Sequence, residues 1–313
     1  MNISVIICTR NRAESLRPTL ESIGKVTVPQ GWTVELLVVD NGSTDQTQAV
    51  VNEARFGNIK LSQVSEPRAG LSHARNTGMS VAQGEIILFT DDDVRPATDW
   101  LAKMVTPLAE ETCDAVVGTV RAAEHLQRSW MELMHKVWVA IPAGSGDTEP
   151  ELVGASMGFR RSVLQRVPAF DTELGAGALG FGEETLFSWQ LCEAGYRLRK
   201  VSDAVIVHHF EPSRLRHSQW LADARKRGQT SAYLLHHWEH GEVKNPLMRA
   251  YLFAAKLRLR RMLKPPAPMD AEGCAPWEMS YVHTIEKCRH FIKERQRPRN
   301  YSCHGVQKIR QGS

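Results

Sequence analysis

Three consecutive carboxylates, Asp91-Asp92-Asp93, follow the apolar run Ile86 to Phe89 and are well suited to metal chemistry. Because alternate residues of an extended segment point to the same side, Asp91 and Asp93 can face one ligand. Adjacent carboxylates repel one another, and hard oxygen ligands of this kind suit Mg²⁺ or Mn²⁺. A solvated acidic turn or a helix cap is the alternative, but the position at the end of a buried strand favours a metal site.

Other charged side chains form two further candidate groups. Glu183-Glu184 opens a predicted helix after the glycine-rich stretch 175–182, where the helix dipole favours acidic residues in any protein. Arg68 and Arg75 lie in the segment 66–76, and a guanidinium can fork onto phosphate or carboxylate oxygens. Structural and ligand-binding roles remain open for both groups at this point.

The elements that must position these groups alternate between strand and helix patterns. Ile3 to Cys8 predicts a buried strand, and Leu16, Leu20 and Ile23 then form one apolar stripe at helical spacing. Further strands are predicted over 34–39, 59–64, 85–90, 115–120 and 204–207, and further helices over 72–81, 162–167 and 184–194. This alternation specifies an α/β fold with a mainly parallel sheet.

Polar clusters follow directly on three of the predicted strands. They are Thr9-Arg10-Asn11, Asp40-Asn41-Gly42 and Asp91-Asp92-Asp93. Open parallel sheets bind ligands outside the carboxyl ends of their strands. The three loops are therefore expected to converge on one ligand.

Four segments, in this order and spacing, resemble the family 2 inverting glycosyltransferases. They are Ser4 to Arg12, Val38 to Asp45, Gly70 to Asn76 and Asp91 to Asp93. The resemblance covers roughly residues 1–212 and is specific because the four motifs occur together. It implies a GT-A-like fold, which is a mixed, mostly parallel sheet flanked by helices, here with a helical C-terminal extension.

The resemblance also implies a nucleotide diphosphate-sugar donor, with uridine favoured as the base, and a Mn²⁺ or Mg²⁺ cofactor. Its implied metal ligands are Asp93, Asp91 and His208. Its implied donor-binding residues are Thr9, Arg10, Asp40, Arg68, Arg75, Asp91 and Asp92. The cation would neutralise charge that grows on the diphosphate as the sugar leaves. Arg75 could instead pair with the aspartates, and His208 could be an ordinary strand-end histidine.

The catalytic base of the family lies in a Glu-Asp pair, which this sequence presents as Glu183-Glu184. An inverting displacement needs one carboxylate, which removes the acceptor hydroxyl proton as that oxygen attacks the anomeric carbon. We expect Glu184, at the aspartate position, to be this base. Glu183 is the alternative, because the departure from Glu-Asp leaves the alignment of the two roles open.

These expectations define a catalytic domain over 1–212, with donor-binding elements in 1–120 and the acceptor site and base in 121–212. The remainder, 213–313, is a basic helical extension. The expected reaction is an inverting, metal-dependent hexosyl transfer to a glycan, lipid-linked or small-molecule acceptor, in cell-envelope polysaccharide biosynthesis. The alternatives are a sugar nucleotidyltransferase and an inactive nucleotide-sugar or glycan-binding homologue.

Weaker patterns point to other cofactors and are set aside. Gly175 to Gly180 matches the dinucleotide pattern GxGxxG, but no predicted strand precedes it. His236 and His240 have the i, i+4 spacing of zinc ligands but lack the glutamate of HExxH, so a packed or solvated helical face is expected. The cysteines, without CxxC spacing, signal neither a zinc site nor a disulfide framework.

The C-terminal part of the chain is basic, with a net charge of +9 from residue 242 onward against −5 before it. Residues 247–264 are amphipathic on a helical wheel and carry basic flanks. Ordinary packing and peripheral binding to an anionic membrane surface both account for this pattern. No membrane-spanning helix or signal segment is predicted, so a cytoplasmic protein, peripheral at the inner membrane face if bound, is expected. No nucleic-acid partner is expected.

Overall fold

The computed structural model describes residues 1–140 and 150–309. Over these residues the chain forms strands β1 Asn2–Thr9, β2 Thr33–Asp40, β3 Ile59–Ser65, β4 Ile86–Thr90, β5 Val94–Pro96, β6 Ala115–Ala122, β7 Ser156–Arg160 and β8 Leu198–His208. Its helices are α1 Ala13–Ile23, α2 Thr47–Glu53, α3 Leu71–Val81, α4 Trp100–Ala109, α5 Leu133–Val139, α6 Glu183–Glu193, α7 His217–His237, α8 Pro246–Leu263 and α9 Pro276–Glu294.

The strands form one sheet of eight in the order β3-β2-β1-β4-β7-β6-β8-β5. The first four strands in this order run parallel, whereas β7 pairs antiparallel with both β4 and β6. On the far side β6 and β8 are parallel, and β5 closes the edge antiparallel to β8. The sheet is therefore mixed and mostly parallel, and the expected α/β fold of the GT-A kind is confirmed.

The core lies on the sheet because β1, β2 and β4 carry nearly continuous aliphatic runs, the pattern of strands buried on both faces. The apolar stripe Leu16, Leu20 and Ile23 is buried on the inner face of α1, as its helical spacing predicts. Residues of α4, among them Trp100 and Met104, join the same cluster. This packing fixes the strand ends from which the polar loops emerge.

Those loops are tied to one another by backbone pairing and by polar side chains. Thr9 and Asp40 are partners in the β1–β2 register, and the Asn41 N–H donates to the carbonyl of Thr9 at 2.9 Å. Asn11 adopts a left-handed backbone with φ of 53°, and its side-chain oxygen accepts from the Thr44 N–H at 2.7 Å. The loops after β1 and β2 therefore form a single polar rim.

Several predicted elements differ in extent from those in the structure. The predicted helix over 162–167 is a 3-10 helix at Arg161–Gln165, and the predicted strand 204–207 is the end of the longer β8. Sequence patterns missed β5, β7 and α4 altogether. The strand β7 is short and contains Gly158, which weakens its alternation, although that glycine accommodates the Leu88 side chain of the neighbouring strand.

The chain divides into two compact units. The described residues of the first lie in 1–127, 136–172 and 183–210 and contain the sheet. Those of the second lie in 128–135, 173–182 and 211–309, where α9 packs against both α7 and α8. None of the described helices is long and apolar enough to cross a bilayer.

Candidate active site

Arg12 connects the loop after β1 to two of the three adjacent aspartates. Its Nε lies 2.9 Å from Oδ1 of Asp92, and its Nη2 lies 2.5 Å from Oδ2 of Asp93. The Thr9 hydroxyl donates to the second oxygen of Asp92 at 2.7 Å. Thr9 and Asp92, both expected donor contacts, are thus bonded to each other. The sequence analysis assigned no role to Arg12, and only its place inside a family motif could have suggested one.

Asp93 also meets His208, the last residue of β8. Nε2 of His208 lies 3.2 Å from Oδ1 of Asp93, and both side chains are buried. Nδ1 of the same imidazole lies 2.9 Å from the carbonyl oxygen of Val139 and must donate to it, since a carbonyl only accepts. In the neutral ring, Nε2 therefore presents a lone pair toward a carboxylate oxygen, an arrangement that suits a shared cation.

The charges around this pair also fit a divalent cation. Burial and then the neighbouring Asp93 raise the pKa of Asp91, and burial raises the pKa of Asp92 to about 7 despite Arg12. Negative charge is therefore costly here, and a bound cation would offset it. Within the part of the chain that the structure describes, the ligand atoms of Asp91, Asp93 and His208 do not all lie within 4.8 Å of one another.

Arg75, on α3, binds both glutamates at the start of α6. Its Nη1 lies 2.9 Å from Oε1 of Glu183, and its Nη2 lies 2.9 Å from Oε1 of Glu184. The guanidinium is buried, with its central carbon 5.5 Å from the ring centroid of Phe170. The sequence offered the aspartates as structural partners of Arg75, but the partners in the structure are these two glutamates.

The two glutamates differ in accessibility and in charge. Burial, followed by the charge of Glu184, raises the pKa of Glu183. Burial also acts to raise the pKa of Glu184, but the charge of Arg75 together with hydrogen bonds from the backbone, Arg75 and Glu183 lowers it. The side chain of Glu183 is 4% exposed and that of Glu184 is 21% exposed. Near neutral pH the pair therefore holds one proton on the inner Glu183, and Glu184 is the ionised, accessible carboxylate.

Gly154 makes room for this arrangement. A β-carbon at position 154 would collide with the guanidinium of Arg75 and would lie 2.6 Å from Oε1 of Glu184. The backbone at Gly154 therefore approaches the ion pair as closely as only glycine permits. Nothing in the local sequence marks this residue, because its partners are distant in the chain.

The loops after β2 and β3 carry two more of the expected donor contacts. Asp40 is half-buried and accepts from the Ser43 N–H at 2.9 Å, while Asn41 donates to the carbonyls of Glu66 and Arg68 at 2.8 and 2.7 Å. Arg68 itself is 65% exposed and pairs with Glu66, whose pKa its hydrogen bonds lower to about 2. Arg10, which follows the last residue of β1, is exposed.

The patterns set aside in the sequence have ordinary structural partners. Nε2 of His236 lies 3.1 Å from the carbonyl oxygen of Arg297, and Nε2 of His240 lies 2.9 Å from that of Tyr301. Each imidazole is thus bound to a different backbone carbonyl. The GxGxxG stretch follows a turn rather than a strand, as the sequence indicated, and its Gly180 lies against Lys226 of α7.

Comparison with known proteins adds an independent observation. The sequence profile of Glycosyl transferase family 2 matches residues 4–167. The succinoglycan biosynthesis protein ExoM of Rhizobium meliloti is 29% identical over 252 residues, which cover 77% of each chain. Glycosyltransferase AglE of Haloferax volcanii is 33% identical over 120 residues, which span only 38% of this chain and 39% of that protein.

Solved structures show the same architecture. The mannosyltransferase PcManGT from Pyrobaculum calidifontis, solved in complex with GDP-Man and Mn²⁺, superposes with a TM-score of 0.54 at 24% identity. The match covers 91% of this chain and 69% of that one. The similarity therefore extends beyond the sheet to most of the chain's length.

Proposed function

The chain belongs to glycosyltransferase family 2, and we propose that it transfers a hexosyl group from a nucleotide diphosphate sugar to an acceptor hydroxyl with inversion. One observation carries this proposal. Arg75 holds Glu184 as an accessible, ionised carboxylate, and the same unit contains the Asp93–His208 pair at the carboxyl ends of the sheet strands. A base and a site for the leaving diphosphate are the two requirements of an inverting displacement.

Asp93 and His208 would hold Mn²⁺ or Mg²⁺, and Asp91 is proposed as a further ligand. When bound, such a cation acts as a Lewis acid that stabilises the negative charge of a diphosphate. The related fold of PcManGT, solved with GDP-Man and Mn²⁺, supports this choice of metal and donor class. Arg12 holds the carboxylate of Asp93 from the side opposite to His208 by binding its other oxygen.

The remaining donor contacts are proposed along the polar rim. Asp40 and Arg10 would bind the base and ribose, and Thr9 would position Asp92 through its hydrogen bond. Arg68 is the best placed to reach phosphate oxygens, because its guanidinium is largely exposed although it pairs with Glu66. A uridine base is favoured, and guanosine and thymidine are the alternatives that binding measurements separate.

In the reaction, the acceptor oxygen forms a bond to the anomeric carbon as the bond from that carbon to the diphosphate breaks. The nucleoside diphosphate leaves with the bonding electron pair, and the acceptor proton passes to a carboxylate oxygen of Glu184. Arg75 keeps that carboxylate ionised and oriented beforehand. Glu183, which retains its own proton, limits the negative charge beside it.

The acceptor is proposed to lie at an anionic membrane surface, which α8 would contact. Its residues Met248, Leu252, Leu259 and Met262 share one helical stripe, and all are exposed, Met262 by 77%. Four exposed basic residues belong to the same stretch: Arg249, Lys256, Arg258 and Lys264. An exposed apolar stripe with basic flanks matches the chemistry of a bilayer interface that carries anionic lipids. A lipid-linked acceptor in cell-envelope polysaccharide synthesis would be presented there.

Calorimetric binding of UDP, GDP and dTDP, each with and without Mn²⁺, tests the proposed donor site. We expect metal-dependent, base-selective binding that Asp93→Asn abolishes and that Asp99→Asn, a change of an exposed aspartate paired with Lys103, leaves intact. Failure of all three nucleotides to bind with Mn²⁺ would favour an inactive homologue. Release of pyrophosphate from a nucleoside triphosphate and a sugar phosphate would instead identify a nucleotidyltransferase.

A further inference from the structure

Three buried side chains able to bind a metal meet in the second unit, and none of them belongs to the proposed reaction. His217 is the first residue of α7, Cys274 precedes α9, and Glu278 lies in the first turn of α9. One ligand atom from each lies within 4.8 Å of the others. This is the set of nitrogen, sulfur and oxygen ligands that zinc accepts.

The separations between these atoms match two edges of a zinc tetrahedron. Nε2 of His217 lies 3.2 Å from Oε2 of Glu278, and Sγ of Cys274 lies 3.7 Å from the same oxygen. Zinc bonds of about 2.1 Å to nitrogen or oxygen and about 2.3 Å to sulfur, at tetrahedral angles, place N and O about 3.4 Å apart and S and O about 3.6 Å apart. The ligands are therefore close to binding distance as they stand.

His217 gives a second, independent indication of a ligand. Its side chain is 2% exposed, yet neither ring nitrogen makes a hydrogen bond to any residue that the structure describes. Buried polar atoms are nearly always satisfied, and an orphaned imidazole aimed at a carboxylate and a thiol needs an explanation. A cation between the three groups would supply the missing partner for Nε2.

The neighbouring Arg261 prepares the carboxylate for this role. Its Nε donates to Oε1 of Glu278 at 2.7 Å, so Oε2 is the oxygen left facing His217 and Cys274. Outer residues of this kind orient metal ligands in known sites. Burial, and then the neighbouring Glu278, raise the pKa of the Cys274 thiol, so a metal ion bound here would have to displace the thiol proton.

We propose that His217, Cys274 and Glu278 bind one zinc ion, with water in the fourth position. Loss of the Cys274 proton on binding makes the charges of thiolate, carboxylate and Zn²⁺ sum to zero around a neutral imidazole. The ion would join the start of α7 to the start of α9 through the loop 269–275. That loop already bonds to α7, with the His217 N–H donating to the carbonyl of Ala271 at 2.7 Å. Because the ion would tie the start of α7 to the start of α9, its expected effect is to stabilise this unit.

Metal analysis of the whole protein, purified without added chelator or metal, tests this inference. We expect stoichiometric zinc, retained on dialysis and lost in Cys274→Ala. Cys288→Ala, which removes another buried cysteine of the same unit, is the matched control and should keep the metal. Cobalt substituted for zinc should give a thiolate-to-metal absorption band in the control and none in Cys274→Ala.

A chelator should lower the melting temperature of the native protein and of Cys288→Ala but not that of Cys274→Ala. If Cys274→Ala does not fold, Glu278→Gln provides the same comparison with the cysteine intact. A native protein that contains no zinc, and that takes up neither zinc nor cobalt with a thiolate band, overturns the proposal. Asp93→Asn should keep the zinc while losing Mn²⁺-dependent nucleotide binding, so failure of the two proposals is distinguishable.

Discussion

Oε1 of Glu184 lies 2.9 Å from Nη2 of Arg75, although the two residues are 109 positions apart in the sequence. The contact joins α3, which follows one strand of the parallel half of the sheet, to α6, which enters from the second half of the fold. It places a permanent cation against the one carboxylate of the pair that solvent reaches. The arrangement keeps Glu184 ionised, so that it can take up the acceptor proton as the acceptor oxygen attacks.

Exchanging each glutamate for glutamine should separate their roles. We expect Glu184→Gln to lower kcat by roughly 100- to 10,000-fold, the usual contribution of a general base, with nucleotide binding unchanged. Glu183→Gln should cost much less, because a neutral amide replaces a carboxyl that already holds its proton. Steady-state kinetics and calorimetry on both variants measure this. Equal losses in the two, or full activity in Glu184→Gln, would contradict the assignment.

The same proton makes stability depend on pH. Burial, with the charge of Glu184 next, raises the pKa of Glu183 from 4.5 to about 8. Between these values the folded protein keeps a proton that the unfolded chain has lost, so this group's contribution to stability falls as pH rises. Glu183→Gln cannot ionise in either state. Urea unfolding between pH 4.5 and about 8 should show that the free energy of unfolding of the wild type falls relative to that of Glu183→Gln. A difference between the two proteins that does not change with pH would show that Glu183 is ionised in the folded protein.

Local sequence patterns were sufficient for the parallel half of the fold and for the residues at its strand ends. Strands β1, β2 and β4 are long or apolar, Asp40 ends β2 and Asp91 to Asp93 come after β4, so their positions at the strand ends could be predicted from local sequence alone. His236 and His240, which have the spacing of zinc ligands but lack the accompanying glutamate in the sequence, each lie against a backbone carbonyl oxygen in the structure.

Contacts between distant segments could not be predicted in this way. Arg12 binds aspartates about 80 positions away, and Arg75 binds Glu183 rather than the aspartates because β7 and α6 return to the sheet from later in the chain. The group of His217 and Cys274 has no characteristic spacing, since a helix, a loop and a second helix separate its members. Such groups exist only once the tertiary fold brings them together.

Gly154→Ala should disable the base without touching the donor site. The added methyl group would overlap the guanidinium of Arg75 and must push it from Glu184, with overpacking costs of about 1–3 kcal/mol in stability. We expect a large fall in kcat and a nearly unchanged dissociation constant for the nucleotide. Gly57→Ala is the matched control, because a β-carbon there meets no atom within 4 Å. Normal turnover in Gly154→Ala would mean that the Arg75–Glu184 contact is dispensable.

The exposed stripe of α8 should bind vesicles that contain anionic lipid and should bind neutral vesicles less well. Replacing Leu252 and Met262 by glutamate should reduce co-flotation by roughly tenfold or more per residue, because each change removes about 1.5–3 kcal/mol of apolar burial and adds repulsion from the lipid. Leu133→Glu, which alters an equally exposed leucine on α5, serves as the control.

High salt should release the wild-type protein, since the basic flanks act through screened charges. Binding that is equal for neutral and anionic vesicles would remove the electrostatic part of the proposal, and concentration-dependent dimers lost in the α8 variant would show that a second copy of the chain covers the stripe.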